Sequence, residues 1–229
     1  MVDAGIKAVF AVEKGQRRHM TDKKIDFDTA AKLWDDNERR VKMVHDIAGA
    51  IKENFDLNDT MDVLDFGCGT GLLSLQLQPF VKTVTGADPS QGMLDALAAK
   101  IEQHGISNYR LIHLEEGSRE KLTGKYDLVM SSMTFHHVED IPPLIQKLKD
   151  ILKPGGRVCI ADLDPDNGLF HRDNTGVFHD GFDREMMKAE FERAGFIEIK
   201  ASTAAEVVRP GPEGEDERFT IFLICAKKG

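Results

Sequence analysis

The sequence is short of three things, and each shortage removes a class of protein. It holds 3 cysteines in 229 residues, and Cys68, Cys159 and Cys225 stand far apart with no second Cys or His at ligand spacing. A disulfide framework or a thiolate zinc site is therefore not expected, no metal is assigned, and a reducing, cytoplasmic setting is the simpler reading. Positive charge is also short: 30 Lys and Arg face 39 Asp and Glu, a formal charge of −9. Such a field repels phosphate backbones and anionic lipid, so neither nucleic acid nor membrane is an expected partner. Long apolar runs are missing as well, since none approaches the roughly 20 residues that cross a bilayer. Residues 1–25 carry one short apolar patch, 6–12, preceded by Asp3 and interrupted by Glu13 and Lys14. They read as an N-terminal arm and not as a signal peptide.

What is present is an ordinary globular composition, 41% hydrophobic and 30% charged, in a length that suits one large domain. Residues 26–229 read as that domain, with helices of an N-terminal cap over about 26–56 and a core from 57 onward. Val44, Ile47, Ala48, Ile51 and Phe55 recur at helical spacing behind Asp36 or Asn37 as N-cap. Strands are expected over 61–66, 81–87, 109–114, 126–132 and 157–162. Helices are expected between them: about 72–78, a Ser90-capped helix bearing Met93, Leu94, Leu97, Ala98 and Ile101, and one bearing Ile141, Leu144, Ile145, Leu148 and Leu152. This alternation predicts an α/β fold, a Rossmann-like doubly wound sheet with ligands outside the carboxyl ends of its strands. A long polar segment, 164–179, precedes a helix over 183–194 and reads as an active-site loop. Residues 196–208 and 219–226 then read as two further strands with no room for a helix between them. The sheet is thus expected to have seven strands, mostly parallel, closing in an antiparallel hairpin.

Chemistry concentrates in Val63-Leu-Asp-Phe-Gly-Cys-Gly-Thr-Gly-Leu-Leu-Ser74, a strand emptying into three glycines and a helix. Glycines let a backbone turn tightly and approach a ligand closely. The dinucleotide fingerprint is G-x-G-x-x-G, whereas here the last glycine comes one place early and Asp65 precedes the first. A carboxylate beside the cradle repels a pyrophosphate and attracts an ammonium, which suits an amino-acid-bearing nucleoside better than NAD. Asp88, 17 residues past Gly71 at the end of the next strand, can accept both hydrogen bonds of a ribose diol.

Together with Asp88-Pro-Ser-Gln-Gly-Met93, Tyr126-Asp-Leu-Val-Met-Ser-Ser132 and Leu152-Lys-Pro-Gly-Gly156, this segment resembles the class I S-adenosylmethionine-dependent methyltransferases, loosely the quinone-biosynthesis type, over about residues 26–227. The resemblance implies S-adenosylmethionine as cofactor, S-adenosylhomocysteine as its product and a small-molecule methyl acceptor. It also implies that Gly67, Cys68, Gly69, Thr70 and Gly71 pack against the methionine part, with Asp65 near its amino group. Asp88, with Pro89 and Ser90 beside it, would hold the ribose. Met93 would lie against adenine or simply fill the core. Glu115 or Glu116 would face the adenine amino group, and Ser131 would offer its carbonyl to the methionine ammonium. Trp34, with Arg39 or Arg40, would close over the methionine moiety and its carboxylate from an N-terminal cap, or Trp34 would simply anchor the core.

Methyl transfer is in-line displacement, so alignment and exclusion of water are the main tasks. For a hydroxyl or phenol acceptor the candidate bases are His136, His137, His171, His179 and Asp162, with His136 and His179 preferred. No Asn-Pro-Pro-Tyr or Asp-Pro-Pro-Tyr segment follows the fourth strand, which argues against methylation of adenine or glutamine amino groups. Met133, Phe135, Phe170, Phe178 and Phe182 suggest a pocket for an uncharged or aromatic molecule. A non-catalytic protein binding the same cofactor as sensor or assembly partner is the alternative, and the chain is expected to be a monomer or homodimer.

Overall fold

In the computed structural model, which describes residues 26–115, 121–171, 173–211 and 214–229, the expected alternation is realised. The N-terminal arm, residues 1–25, and Glu116 lie outside the described residues. A short helix α1 (Phe27–Ala30) is capped by the Asp26 carboxylate, which accepts from the Thr29 N–H at 3.0 Å, and continues as a 3₁₀ turn, Ala31–Asp36. Asn37, one of two candidates for the cap, accepts from the Arg40 N–H and starts α2 (Glu38–Asn54). Its buried face is Met43, Val44, Ile47, Ala48 and Ile51, the stripe that helical spacing marks in the sequence.

Strand β1 (Asp62–Phe66) empties into the glycine segment, followed by α3 (Ser74–Leu77). This helix is shorter than expected, because Pro79 lacks the N–H that would continue it and the chain tightens into a 3₁₀ turn, Gln78–Phe80. Then come β2 (Thr83–Asp88), α4 (Gln91–Gln103), β3 (Tyr109–His113), β4 (Tyr126–Ser132) and α5 (Ile141–Ile151). Ser90 caps α4 as expected, accepting from the Met93 N–H at 3.1 Å. Strand β5 (Leu152–Leu163) begins before the glycines, where Leu152 pairs with Tyr126 ahead of a register shift. Helix α6 (Arg184–Arg193) leads to β6 (Phe196–Pro210) and β7 (Asp216–Lys228). These last strands run further than expected, because their ladder persists through Arg209↔Glu217, whose side chains pair at 3.0 Å.

The seven strands order as β3-β2-β1-β4-β5-β7-β6, and β7 runs antiparallel to both neighbours. Helices cover both faces. On one face α5 and α6 bury Ile141, Leu144, Leu148 and Phe191 against Leu64, Val129, Ile160 and Phe222. On the other α2 and α3 bury Ile47, Ile51 and Leu77 against Val63, Leu128, Cys159 and Ile221. Lys153 ties the amino ends of β1 and β4 together, 2.9 Å from Asp62 and 2.7 Å from Asp127. Cys159 and Cys225, buried partners across β5 and β7, are free thiols, as is Cys68. Among the described residues no helix is long and apolar enough to cross a membrane.

Phe222 is wholly buried in β7 and packs edge-on to Phe182, the residue that returns the polar loop to the core. Phe222→Ala is expected to cost about 3–5 kcal/mol, read as a lowered urea midpoint at unchanged slope.

Candidate active site

Strand order reverses between β1 and β4, and the chain leaving their carboxyl ends opens a crevice there. Gly67 turns back at φ +72°, and the N–H groups of Gly67 and Cys68 both donate to the Ala87 carbonyl at the end of β2, at 2.8 and 3.2 Å. A Cβ on Gly67 would come within 2.2 Å of Thr134 Oγ1. Gly69, at φ +51°, has nothing nearer than Met93 Sδ at 4.0 Å where its Cβ would stand, so its bare backbone faces open space. Gly71 serves a different purpose: a Cβ there would strike Leu97, so it lets α4 pack closely.

The crevice is a cavity of about 680 Å³. Asp65, Gly67, Cys68, Gly69, Thr70, Asp88, Pro89 and Met93 line it, as expected. Asp88 is buried; its Oδ2 accepts from the Gly69 N–H at 2.8 Å and its Oδ1 from the Ser90 N–H at 2.9 Å. Burial nevertheless raises its pKa above the ordinary carboxylate value. Asp65 is more extreme: wholly buried, with Oδ2 lacking any hydrogen-bond partner, it is pushed up to about 7 by burial and by neighbouring Asp88.

The N-terminal cap closes one wall. Asp35 accepts from Thr70 Oγ1 at 2.6 Å and pairs with Lys100, whose ammonium also donates to the Thr70 carbonyl. Asp28 accepts from Ser90 Oγ and the Gly92 N–H, latching α1 to the start of α4. Trp34 and Arg39 both line the cavity. The Arg40 guanidinium lies over the Trp34 ring, 3.7 Å from its centroid, and donates to the Trp34 carbonyl, whereas exposed Arg39 has no ion-pair partner among the described residues. Arg40, which also lines the cavity, is thus held within the cap, whereas Arg39 lines it unpaired among the described residues.

At the other end stand imidazoles. Met133 adopts φ +53°, uncommon for a side chain of its size, and swings Thr134 and the 3₁₀ turn Phe135–His137 under the crevice. His136 Nδ1 lies 2.7 Å from Asp162 Oδ1, both residues buried; a carboxylate only accepts, so this nitrogen carries the proton and Nε2 is turned away from Asp162. Burial alone would raise Asp162, but the His136 ring and the N–H groups of Phe135 and Leu163 hold it below the ordinary value. His171, from the polar loop, faces His136 with the two Nε2 atoms 3.1 Å apart. His137 Nδ1 faces the Gly176 carbonyl at 2.8 Å. Burial and the neighbouring rings lower both His137 and His171 to about 4, so both are neutral at neutral pH. Met133, Phe170, Val207 and Arg209 complete this chamber.

Several expected residues stand elsewhere. His179 lies outside the lining and hydrogen-bonds the Val138 carbonyl at 2.9 Å. Ser131, expected to act through its carbonyl, is fully buried with its hydroxyl on the Phe66 carbonyl, and neighbouring Ser132 lines the cavity with a buried hydroxyl that has no partner. Ser90 is occupied as helix cap, and exposed Glu115 pairs with Lys121 away from the cavity. Phe27, Asn37, Ser132 and Thr134 also line the cavity, although the sequence marked Asn37 only as a helix cap and gave none of the four a place in the site. They depend on how the cap folds over and on the left-handed turn at Met133, which leave no mark in residue spacing.

A family model described as a methyltransferase domain matches residues 37–199. The chain belongs to the class I, S-adenosylmethionine-dependent methyltransferases. It is 37% identical over 142 residues to an uncharacterized methyltransferase of Schizosaccharomyces pombe, covering 56% of this chain and 50% of the relative. Against the ubiquinone biosynthesis O-methyltransferase of Acinetobacter baylyi it is 30% identical, covering 62% of each. The chain thus spans only half to about 62% of the curated relatives it matches. Its fold matches YcgJ from Bacillus subtilis, TM-score 0.67 at 15% identity, covering 80% of this chain and 98% of the other. It also matches phosphoethanolamine N-methyltransferase 2 of Haemonchus contortus, solved with S-adenosylmethionine, TM-score 0.60 at 17% identity, covering 79% and 52%.

The methyltransferase's own crevice fits that cofactor. The partnerless Asp65 oxygen suits an ammonium, the uncovered Gly69 backbone suits close approach of an aliphatic chain, and Asp88 retains lone pairs for a diol. Free Asp65 also carries a pH signature. Its folded pKa lies above the unfolded value, so the folded state holds the extra proton between about pH 4 and 7 and loses stability as pH rises through that window. His137 and His171 act oppositely, because their folded pKa values are lowered and they gain stability as pH rises from about 4 to 6.5. The difference between wild type and Asp65→Asn isolates Asp65: the variant is expected to gain relative stability as pH goes from about 5 to 8, by up to a few kcal/mol at about 1.4 kcal/mol per unit. Parallel urea-stability curves for the two proteins would remove Asp65 from this role.

Proposed function

We propose that this methyltransferase transfers a methyl group to a hydroxyl of a small, largely uncharged acceptor, with His136 taking the hydroxyl proton. The observation that carries this reading is the buried His136–Asp162 pair at the acceptor end of the cavity. A buried carboxylate fixing one tautomer of an imidazole is the arrangement of a positioned base.

When bound, the cofactor supplies an electrophilic sulfonium methyl and leaves as S-adenosylhomocysteine. The protein's residues do the rest. Asp65 and Ser132 would meet the methionine ammonium, Arg39 its carboxylate and Asp88 the ribose. Met93, wholly buried beside Gly69, would flank adenine. Met133, Phe170 and Val207 give the acceptor an apolar seat and exclude water. His136 Nε2, which pairs with His171 Nε2 at 3.1 Å, would take the acceptor's O–H proton as the methyl group is transferred. Asp162 stabilises the charge that the imidazole gains, since it stays ionised and hydrogen-bonded throughout.

The name of the Acinetobacter relative, an O-methyltransferase, supports a hydroxyl acceptor. The acidic surface charge and free thiols support a cytoplasmic protein acting on metabolites. Asp88→Ala is expected to weaken cofactor binding by about 1–3 kcal/mol by calorimetry; unchanged affinity would take Asp88 out of the site. The reaction itself is tested by incubating metabolite extracts with methyl-labelled cofactor and searching for labelled ethers by mass spectrometry. With an acceptor in hand, His136→Gln is expected to lower kcat by about 10²–10⁴ with cofactor affinity kept, and His179→Gln to leave it of the same order. Intact cofactor binding with no methylated product across the extracts would instead mark a sensor.

A further inference from the structure

The imidazoles beside the acceptor chamber satisfy a second chemistry. His136 and His137 come from the turn after β4 and His171 from the loop after β5, yet one ring nitrogen of each lies within 4.8 Å of the other two. The His136 and His171 Nε2 atoms, 3.1 Å apart, are close to the roughly 3.3 Å that separates two nitrogens on a tetrahedral ion with bonds of about 2.0–2.1 Å. Two of the rings are held by a hydrogen bond at Nδ1, His136 by Asp162 and His137 by the Gly176 carbonyl, and each has Nε2 besides. That is the outer shell which orients histidine ligands in metal sites. One side of the cluster opens to the cavity, leaving a fourth position free.

We propose that His136, His137 and His171 form a binding site for a divalent transition-metal ion of the zinc or cobalt type. Neutral imidazole selects such borderline ions over magnesium or calcium, which require oxygen ligands. Asp162, the carboxylate bonded to this cluster, is already occupied by His136 and by the Phe135 and Leu163 N–H groups, so it serves as orienter and not as ligand. The site goes beyond the methylation reading and does not depend on it. The two are mutually exclusive in time, because the ion takes the His136 Nε2 lone pair that would otherwise accept the acceptor's proton.

The full chain, stripped with a chelator, is titrated with zinc by calorimetry and with cobalt(II) by visible absorption. One equivalent is expected to bind, with a cobalt spectrum of tetrahedral intensity that zinc displaces. His171→Ala and His137→Ala are each expected to weaken binding by more than the about 10–100-fold that loss of an outer-shell partner costs. The exposed His104→Ala is expected to bind as wild type. S-adenosylhomocysteine affinity, measured on every variant, shows that the neighbouring cofactor crevice is intact. Absence of binding to wild type, or binding undiminished in both His171→Ala and His137→Ala, overturns the site. Failure of methylation leaves these readouts untouched, and failure of metal binding leaves the methylation assays untouched.

Discussion

Burying a carboxylate costs several kcal/mol unless protein donors replace the lost water, and the carboxyl edge of this sheet buries three. Asp65, Asp88 and Asp162 end or nearly end β1, β2 and β5. They are compensated to very different degrees. Asp162 has an imidazole and two backbone N–H groups and is held below its ordinary pKa; Asp88 has two N–H groups and is raised; Asp65 keeps an oxygen with no partner and rises to about 7. The compensated carboxylate organises the protein's own histidine. The least compensated one leaves a buried oxygen on the crevice wall, the position proposed above for the methionine ammonium.

The glycine segment and the cap follow from the same constraint. Asp88 draws in the Gly69 N–H while Ala87 holds those of Gly67 and Cys68, so the loop is hung from β2 and not merely flexible. Thr70 then meets Asp35 and Lys100, and Ser90 and Gly92 meet Asp28, which fastens the cap where it can cover a ligand. Trp34 sits in the cap, its ring held by Arg40 and packed edge-on to Phe27, and it also lines the cavity.

Most of the fold was legible because its signals are local. Helical spacing located α2 and α5, Ser90 announced α4, and the lack of room between the last two strands required a hairpin. Element ends were less legible where the deciding contact is distant, as at Arg209 and Glu217, which extend the β6–β7 ladder. In the site, the glycine motif was legible in that the backbone of Gly67 and Gly69 lines the cavity. Where a side chain turns was less legible: the Ser132 hydroxyl lines the cavity wall, and His179 turns to Val138.

By itself the sequence determined the alternation of strands and helices, the glycine turn and the two acids on one sheet edge, because each is set by neighbours within one strand and its following loop. The tertiary structure alone decided which of the histidines meet. His171 stands 35 residues from His136, and only the approach of the post-β5 loop to the turn after β4 brings their Nε2 atoms to 3.1 Å. It likewise decided which carboxylate was left uncompensated, since that depends on how many donors the folded chain could bring to each buried oxygen.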